Sequence, residues 1–140
     1  MAEYDLVSDI KIVEAIPILD HAAIVVGTEI DTQGFESVTF VFTTGTVGAG
    51  TADFTIDHAP DDGTGSAGVF AAVDAADLIG TTPTFVTASD NLVARLGYRG
   101  KQRHVRVSSV ETATWTTHSH GVVCILGHPK TTPVTAQVGP

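Results

Sequence analysis

One stretch of the chain decides the fold class: Glu36-Ser37-Val38-Thr39-Phe40-Val41-Phe42-Thr43-Thr44. Bulky apolar side chains at positions 38, 40 and 42 alternate with polar ones at 37, 39 and 43. Successive side chains of a β-strand point to opposite faces, so a period of two is typical of a strand with one buried face. The alternation therefore predicts that residues 36–44 form a strand that packs on one side against a core.

Other stretches repeat this pattern on both sides of residues 36–44. Residues 52–57, 102–110 and 114–126 are further predicted strands, separated by glycine-rich turns. The chain of 140 residues contains 20 Thr, 18 Val and 9 Ile, whose branched Cβ atoms favour sheets. We therefore expect one all-β domain, a β-sandwich or jelly-roll-like fold of about seven to eight strands. The predicted core residues are Val38, Phe40, Phe42, Phe54, Ile56, Val105 and Val107, with His104, Arg106 and Ser108 facing outward.

Three regions are expected along the chain: an extended N-terminal arm (residues 1–20), the sandwich (21–129) and an extended C-terminal tail (130–140). In the arm, Ile10, Ile12, Ile16 and Ile18 alternate with polar or small residues around Pro17. Because proline is excluded from central strands, we expect this arm to lie outside the sandwich. Its isoleucines are predicted to bind a partner, by adding a strand to a neighbouring molecule's open sheet edge. The sandwich is predicted to fold without residues 2–20.

Charge is unevenly distributed along the sequence. The net charge is −9, yet residues 1–94 contain 15 acidic residues and one basic residue, whereas residues 95–140 contain six basic residues and one acidic residue. This division predicts two surfaces of opposite sign, which would favour self-association into a closed oligomer. The alternative is that strands from the two halves interleave and mix the charges over the surface.

The sequence contains no recognisable catalytic or cofactor motif, so we expect a protein without enzymatic activity, cofactor or bound metal. Cys124 is the single cysteine and is expected to be a buried, unreactive side chain. His118 and His120 project from one face of a predicted strand and could share a metal ion, but two surface histidines are the expectation. The aspartates of residues 57–68 lack the spacing of a calcium loop and indicate a solvated turn.

A local basic segment carries four arginines that are candidates for partner binding: Arg95, Arg99, Arg103 and Arg106. The planar guanidinium group pairs with carboxylates through two parallel hydrogen bonds, so the segment predicts a protein partner with acidic residues. Single-stranded nucleic acid, stacked on the nearby Tyr98, is the alternative. The acidic net charge and the aromatic content of 6% disfavour it, and we expect no direct contact with nucleic acid.

A series of short blocks resembles small structural proteins encoded in the head modules of tailed phages. The blocks lie within residues 22–130 and are residues 30–40, 61–63, 77–80, 96–100, 103–107 and 126–129. The chain departs from this resemblance at His104, where an aromatic residue is expected, and in a longer loop at residues 57–68. The resemblance implies a capsid decoration (cement) protein that binds the major capsid protein on the outer surface of an assembled head. It further implies self-association, commonly as a trimer.

Other functions fit the same composition less well. A head–tail joining or tail structural protein is the nearest alternative. A carbohydrate-binding sandwich would need exposed aromatic platforms, and the chain has one Trp and two Tyr. The acidic N-terminal residues do not resemble a secretion signal, and no apolar run is long enough to span a bilayer. We therefore expect a protein that does not contact a membrane, and the resemblance implies that it belongs to the outer surface of a virion and is made in the cytoplasm of a host bacterium.

Overall fold

The computed structural model of the chain describes residues 5–132 and residue 134. These residues form eleven strands and two short 3₁₀ turns, Val7–Asp9 and Ala75–Asp77. The strands are β1 (Ile10–Asp20), β2 (Val25–Val26), β3 (Ile30–Asp31), β4 (Phe35–Val47), β5 (Thr51–Ala59), β6 (Ala71–Ala72), β7 (Leu78–Ile79), β8 (Thr84–Phe85), β9 (Val93–Tyr98), β10 (His104–Ala113) and β11 (His118–Pro129). The all-β class predicted from the sequence is confirmed. The strand count is higher than predicted because five of the strands are only two residues long.

The strands form two antiparallel sheets that pack as a β-sandwich. The first sheet has five strands in the order β1-β11-β4-β9-β7. In the second, six-stranded sheet, β10 and β5 are central, with β2 and β3 paired to β10 and with β6 and β8 paired to β5. The pairs β4–β11 and β5–β10 therefore provide most of the two inner faces.

Alternate residues of the long strands fill the space between the sheets. Every residue of the predicted core is buried: Val38, Phe40, Phe42, Phe54, Ile56, Val105 and Val107. Phe54 lies at the centre, with its ring centroid 4.9 Å from that of Phe42 and 5.5 Å from that of Phe85. Both pairs meet edge to face, the favourable arrangement for aromatic quadrupoles. The core prediction from strand alternation is thus confirmed.

The predicted N-terminal arm is instead largely a strand of the sandwich. β1 pairs antiparallel with β11, from Ile10 opposite Gly127 to Asp20 opposite Ser119. The register shifts on both sides of Ile16, and Pro17 lies in this irregular part of an edge strand, where a missing N–H is tolerated. Ile16 is fully buried and belongs to the core. The isoleucines therefore extend a sheet edge as expected, but the edge is that of β11 in the same chain.

The segment after β1 crosses from the first sheet to the second. Residues 23–31 contain only the two short strands β2 and β3, with residues 27–29 between them. Gly27 N donates to Val107 O at 2.9 Å, and Thr28 N donates to Ala15 O at 2.9 Å, so the two sheets are hydrogen bonded through this connection. A Cβ atom at Gly27 would lie 2.1 Å from Val107 O, which requires glycine here.

Most of the predicted C-terminal tail, residues 133 and 135–140, lies outside the described residues. The described part runs along the N-terminal end of the chain: Lys130 N donates to Gly34 O, and Val134 N donates to Ser8 O, both at 2.8 Å. In the described residues no helix has the length and apolar character needed to cross a membrane.

Two isoleucines of β1 differ in burial, so their substitution should affect the stability of the fold differently. Ile16 is 0% exposed, whereas Ile18, two residues away, is 64% exposed. We expect Ile16→Ala to lower the free energy of unfolding by about 3 kcal/mol because it leaves a cavity in the core. Ile18→Ala should change it by less than about 1 kcal/mol. Urea unfolding followed by circular dichroism measures both values, and equal losses would contradict the placement of β1.

Candidate functional site

The outer face of the five-stranded sheet carries exposed and half-buried apolar side chains. Cross-strand register places three rows of side chains on it. One row is Ile12, Ile125, Thr39 and Gly97; the next is Glu14, Val123, Val41 and Arg95; the third is Gly121, Thr43 and Val93. Ile18 lies over Gly121, because a Cβ on that glycine would be 2.2 Å from Ile18 Cγ1. We call this surface the apolar face.

The corresponding surface of the six-stranded sheet is polar. Its cross-strand pairs are Arg106 with Asp57, Ser108 with Thr55, and Val110 with Asp53. Arg106 Nε lies 3.2 Å from Asp57 Oδ2, and its guanidinium carbon lies 4.0 Å from the Phe70 ring centroid. A sandwich normally exposes mixed or polar outer faces, so the contrast singles out the apolar face as the surface that water solvates poorly.

A cleft of about 440 Å³ lies at one end of the apolar face. The 3₁₀ turn and the start of β1 form one wall, and β4 and β11 form the floor. Its lining residues are Leu6, Asp9, Ile10, Ser37, Thr39, Ile125, Gly127, His128 and Pro129. Asp9 and His128 are the titratable side chains of this lining, and they form no cluster of reactive groups among the described residues.

A second apolar surface lies along residues 17–26, which we call the apolar connection. Leu19, Ile24 and Val26 are 49%, 62% and 65% exposed there. Asp20 is the only carboxylate of this stretch, and its Oδ1 accepts a hydrogen bond from His118 N at 2.7 Å. The apolar connection therefore presents mainly hydrocarbon at the side where the two sheets are linked.

The four isoleucines predicted to bind a partner lie in three different environments. Ile12 and Ile18 are exposed on the apolar face, at 50% and 64%. Ile10 is half-buried beside the cleft. Ile16 is in the core, so its predicted partner-binding role is wrong. Alternation put these residues on one strand but did not show the register shift that turns Ile16 inward.

The four predicted arginines do not form one patch. Arg95 and Arg99 are exposed on or beside β9, whereas Arg103 and Arg106 belong to the other sheet. Arg103 donates to both carboxylate oxygens of Asp31 and to Asp61 Oδ2, the last at 2.6 Å. These Arg103 hydrogen bonds lower the pKa of Asp31 to about 2. Because Arg103 and Arg106 already pair with carboxylates of their own chain, the prediction that they meet a partner's carboxylates is not supported.

His118 and His120, expected on the surface, are both fully buried, and that expectation is wrong. Their Nδ1 atoms lie 3.1 Å apart, so one ring donates and the other accepts. The ring centroid of His120 lies 4.4 Å from that of His21, which is itself buried, and the two ring planes are tilted by 39°. Among the described residues neither Nε2 atom has a hydrogen-bond partner. Burial lowers the pKa of both rings, that of His120 to about 4.

His104 was expected to face outward and is 1% exposed instead. Its Nδ1 lies 3.0 Å from Glu29 Oε1, and its Nε2 lies 3.7 Å from Asp61 Oδ2, without hydrogen-bond geometry in either case. Neighbouring Val105 is also buried, so β10 begins with two consecutive buried residues. Together, Arg103 and His104 attach the 57–68 loop to the end of β10.

Reactive and metal-binding groups are not assembled in the part of the chain that the structure describes. No group of three or more His, Cys, Asp or Glu side chains there is placed to hold a metal ion. Asp61 and Asp62 accept hydrogen bonds from the loop's own amides, as in ordinary turns. Cys124 is fully buried, and burial raises the pKa of its thiol to about 12.

The sequence also indicates the apolar face, through apolar residues at the outward positions of β4 and β11. Residues 38, 40 and 42 identify the buried face of β4, and Val41 lies between them on the opposite one. Val123 and Ile125 occupy the equivalent outward positions of β11. Counting both faces of these two strands would have predicted an apolar surface.

Comparison with protein-family models, with curated proteins and with solved structures finds no match to this chain.

The histidine pair predicts acid sensitivity. The pKa of His120 in the folded state, about 4, lies below its ordinary value of 6.5, so the unfolded chain binds the proton more readily. Stability is then complete above pH 6.5 and is lost as the pH falls toward 4. Between pH 7.5 and 5 we expect His120 to account for a loss of about 2 kcal/mol in the free energy of unfolding.

Urea unfolding at the two pH values measures this loss. His120→Gln, which removes the titrating ring, should reduce the difference between the two pH values. His128→Gln is the control, because His128 is exposed and should retain the wild-type difference. The assignment to His120 is contradicted if His120→Gln retains it as well.

Proposed function

We propose that this protein is a structural protein without enzymatic activity that decorates the outer surface of a tailed-phage head. The observation that carries the proposal is the apolar connection, where Leu19, Ile24 and Val26 are exposed together along one short segment. Contiguous apolar side chains on a soluble domain mark surfaces that other proteins cover. The sequence blocks within residues 22–130 supply the class of partner, a major capsid protein.

The rigidity of the apolar connection supports this role. Its two ends are fixed, by β1 pairing with β11 on one side and by the Gly27 and Thr28 hydrogen bonds on the other. His21 Nε2 donates to Pro17 O at 2.9 Å and fixes the middle. Exposed apolar residues on a fixed backbone lose little conformational entropy on binding, which favours affinity.

A decoration protein can attach strongly through weak contacts because its binding sites are repeated over the capsid. A capsid presents many identical sites, and an oligomer that engages several subunits converts weak single contacts into strong attachment. Burial of apolar area contributes roughly 25 cal/mol for each Å². A small apolar surface on each copy is therefore sufficient, provided that copies are linked to one another.

Heads produced by the genome that encodes this chain, with its gene deleted, provide the test. Purified protein should bind these heads in a sedimentation assay. The variant Leu19→Ser/Ile24→Ser/Val26→Ser should need at least about tenfold more protein to reach the same occupancy, because it lacks the apolar area. Val69→Ser is the matched control: Val69 is 87% exposed but lies outside the apolar connection.

Two results would overturn parts of the proposal. If the triple variant decorates heads as well as Val69→Ser does, then the apolar connection is not the contact. If the wild-type protein sediments apart from heads and remains with tails, the protein belongs to the tail or the head–tail junction. Circular dichroism of each variant verifies that the sandwich is folded.

A further inference from the structure

We infer that the apolar face binds the apolar face of a second copy of this chain, about a two-fold axis that runs parallel to the strands. The inference goes beyond the proposed function and does not depend on it. It follows from the order of residues across the sheet, which makes this surface complementary to itself. The arrangement would be an isologous dimer, in which each contact occurs twice.

The strand order determines what faces what. Across the apolar face the strands run β1, β11, β4, β9. Consider a two-fold axis that runs parallel to the strands and lies midway between the facing sheets of the two copies. This axis reverses the strand order in the second copy. β1 then lies over β9 of the second copy, and β11 lies over its β4, while residues at the same height along the strands remain level.

The charged row shows the complementarity most clearly. It begins with Glu14 on β1, continues through Val123 and Val41, and ends with Arg95 on β9. Reversal places Glu14 opposite Arg95 of the second copy, and Arg95 opposite its Glu14. Sheets packed face to face are about 10 Å apart, a gap that these two long side chains can span together at the rim. Each dimer would therefore contain two such ion pairs.

The same reversal of strand order also brings apolar residues of the two copies together. At the level of the third row, reversal brings Ile18 opposite Val93, which is 72% exposed and has no cover in the described chain. In the charged row, Val123 meets Val41 of the second copy. In the first row, Ile125 lies opposite Thr39 of the second copy, and Ile12 lies opposite its Gly97. The centre of the interface is therefore mainly apolar, and its rim is charged.

The other two-fold arrangement is disfavoured. An axis perpendicular to the strands but still in the plane of the interface would keep each strand over its own equivalent. Glu14 would then lie opposite Glu14, and Arg95 opposite Arg95. Like charges in direct opposition are destabilising, so the row selects the axis along the strands. A two-fold contact also replaces the trimer that the sequence resemblance implies.

Charge reversal tests the pairing directly, with the dissociation constant of the dimer measured by sedimentation equilibrium. Glu14→Arg alone, or Arg95→Glu alone, should raise this constant by at least about tenfold, which corresponds to 1.4 kcal/mol. The double variant Glu14→Arg/Arg95→Glu should restore it to within about threefold of wild type, because the opposite charges are exchanged. Lys101→Glu, an exposed charge outside the face, should leave it unchanged.

A second variant tests the apolar part of the interface. Val93→Asp should weaken the dimer without unfolding the monomer, because the side chain is largely exposed. A wild-type protein that remains monomeric at all concentrations, or that forms trimers, would overturn the inference. So would single charge reversals that behave like Lys101→Glu, or a double variant no tighter than the single ones. Thermal unfolding of each variant verifies that dissociation does not result from loss of the fold.

Discussion

The pairing of β4 with β11 is the constraint on which the remaining structure depends. It is the longest register among the described residues, from His118 opposite Val47 to Pro129 opposite Phe35. Neither strand could be stable alone, because each exposes a row of large apolar side chains. Once paired, they form the centre of the five-stranded sheet, and the edges of the pair are completed by β1 and β9. The second sheet then covers the inner face of this pair.

The same two strands also produce the uncovered surface. In most sandwiches, alternation sends apolar residues inward and polar residues outward, but β4 and β11 carry valine and isoleucine at outward positions as well. Along β5 and β10 of the six-stranded sheet, most of the described outward positions hold charged or hydroxyl side chains, although Val110 and the neighbouring Val26 of β2 are apolar. The two outer faces of the sandwich therefore differ in composition, and the proposed dimer contact uses the more apolar one.

Local alternation was sufficient to predict the core residues of β4, β5 and β10, because period and burial agree along each strand. It could not predict that β1 joins β11, since that pairing links residues 99 to 117 positions apart and includes two register shifts. The burial of His118 and His120 was nevertheless present in the sequence. Both have the parity of Val122, Cys124 and Leu126, so a β11 that buries these three must also bury the histidines. The polarity of histidine favours a solvated position, so side-chain type and strand periodicity give opposite predictions at these two residues.

The histidine cluster also gives the protein an internal optical probe. The only tryptophan of the chain, Trp115, is buried, and its ring lies 5.0 Å from that of His118 and 5.5 Å from that of His120. A protonated imidazole in contact with an indole quenches its fluorescence, whereas a neutral imidazole does so far less. Emission at a single wavelength therefore reports the charge state of the core while the sandwich is still folded.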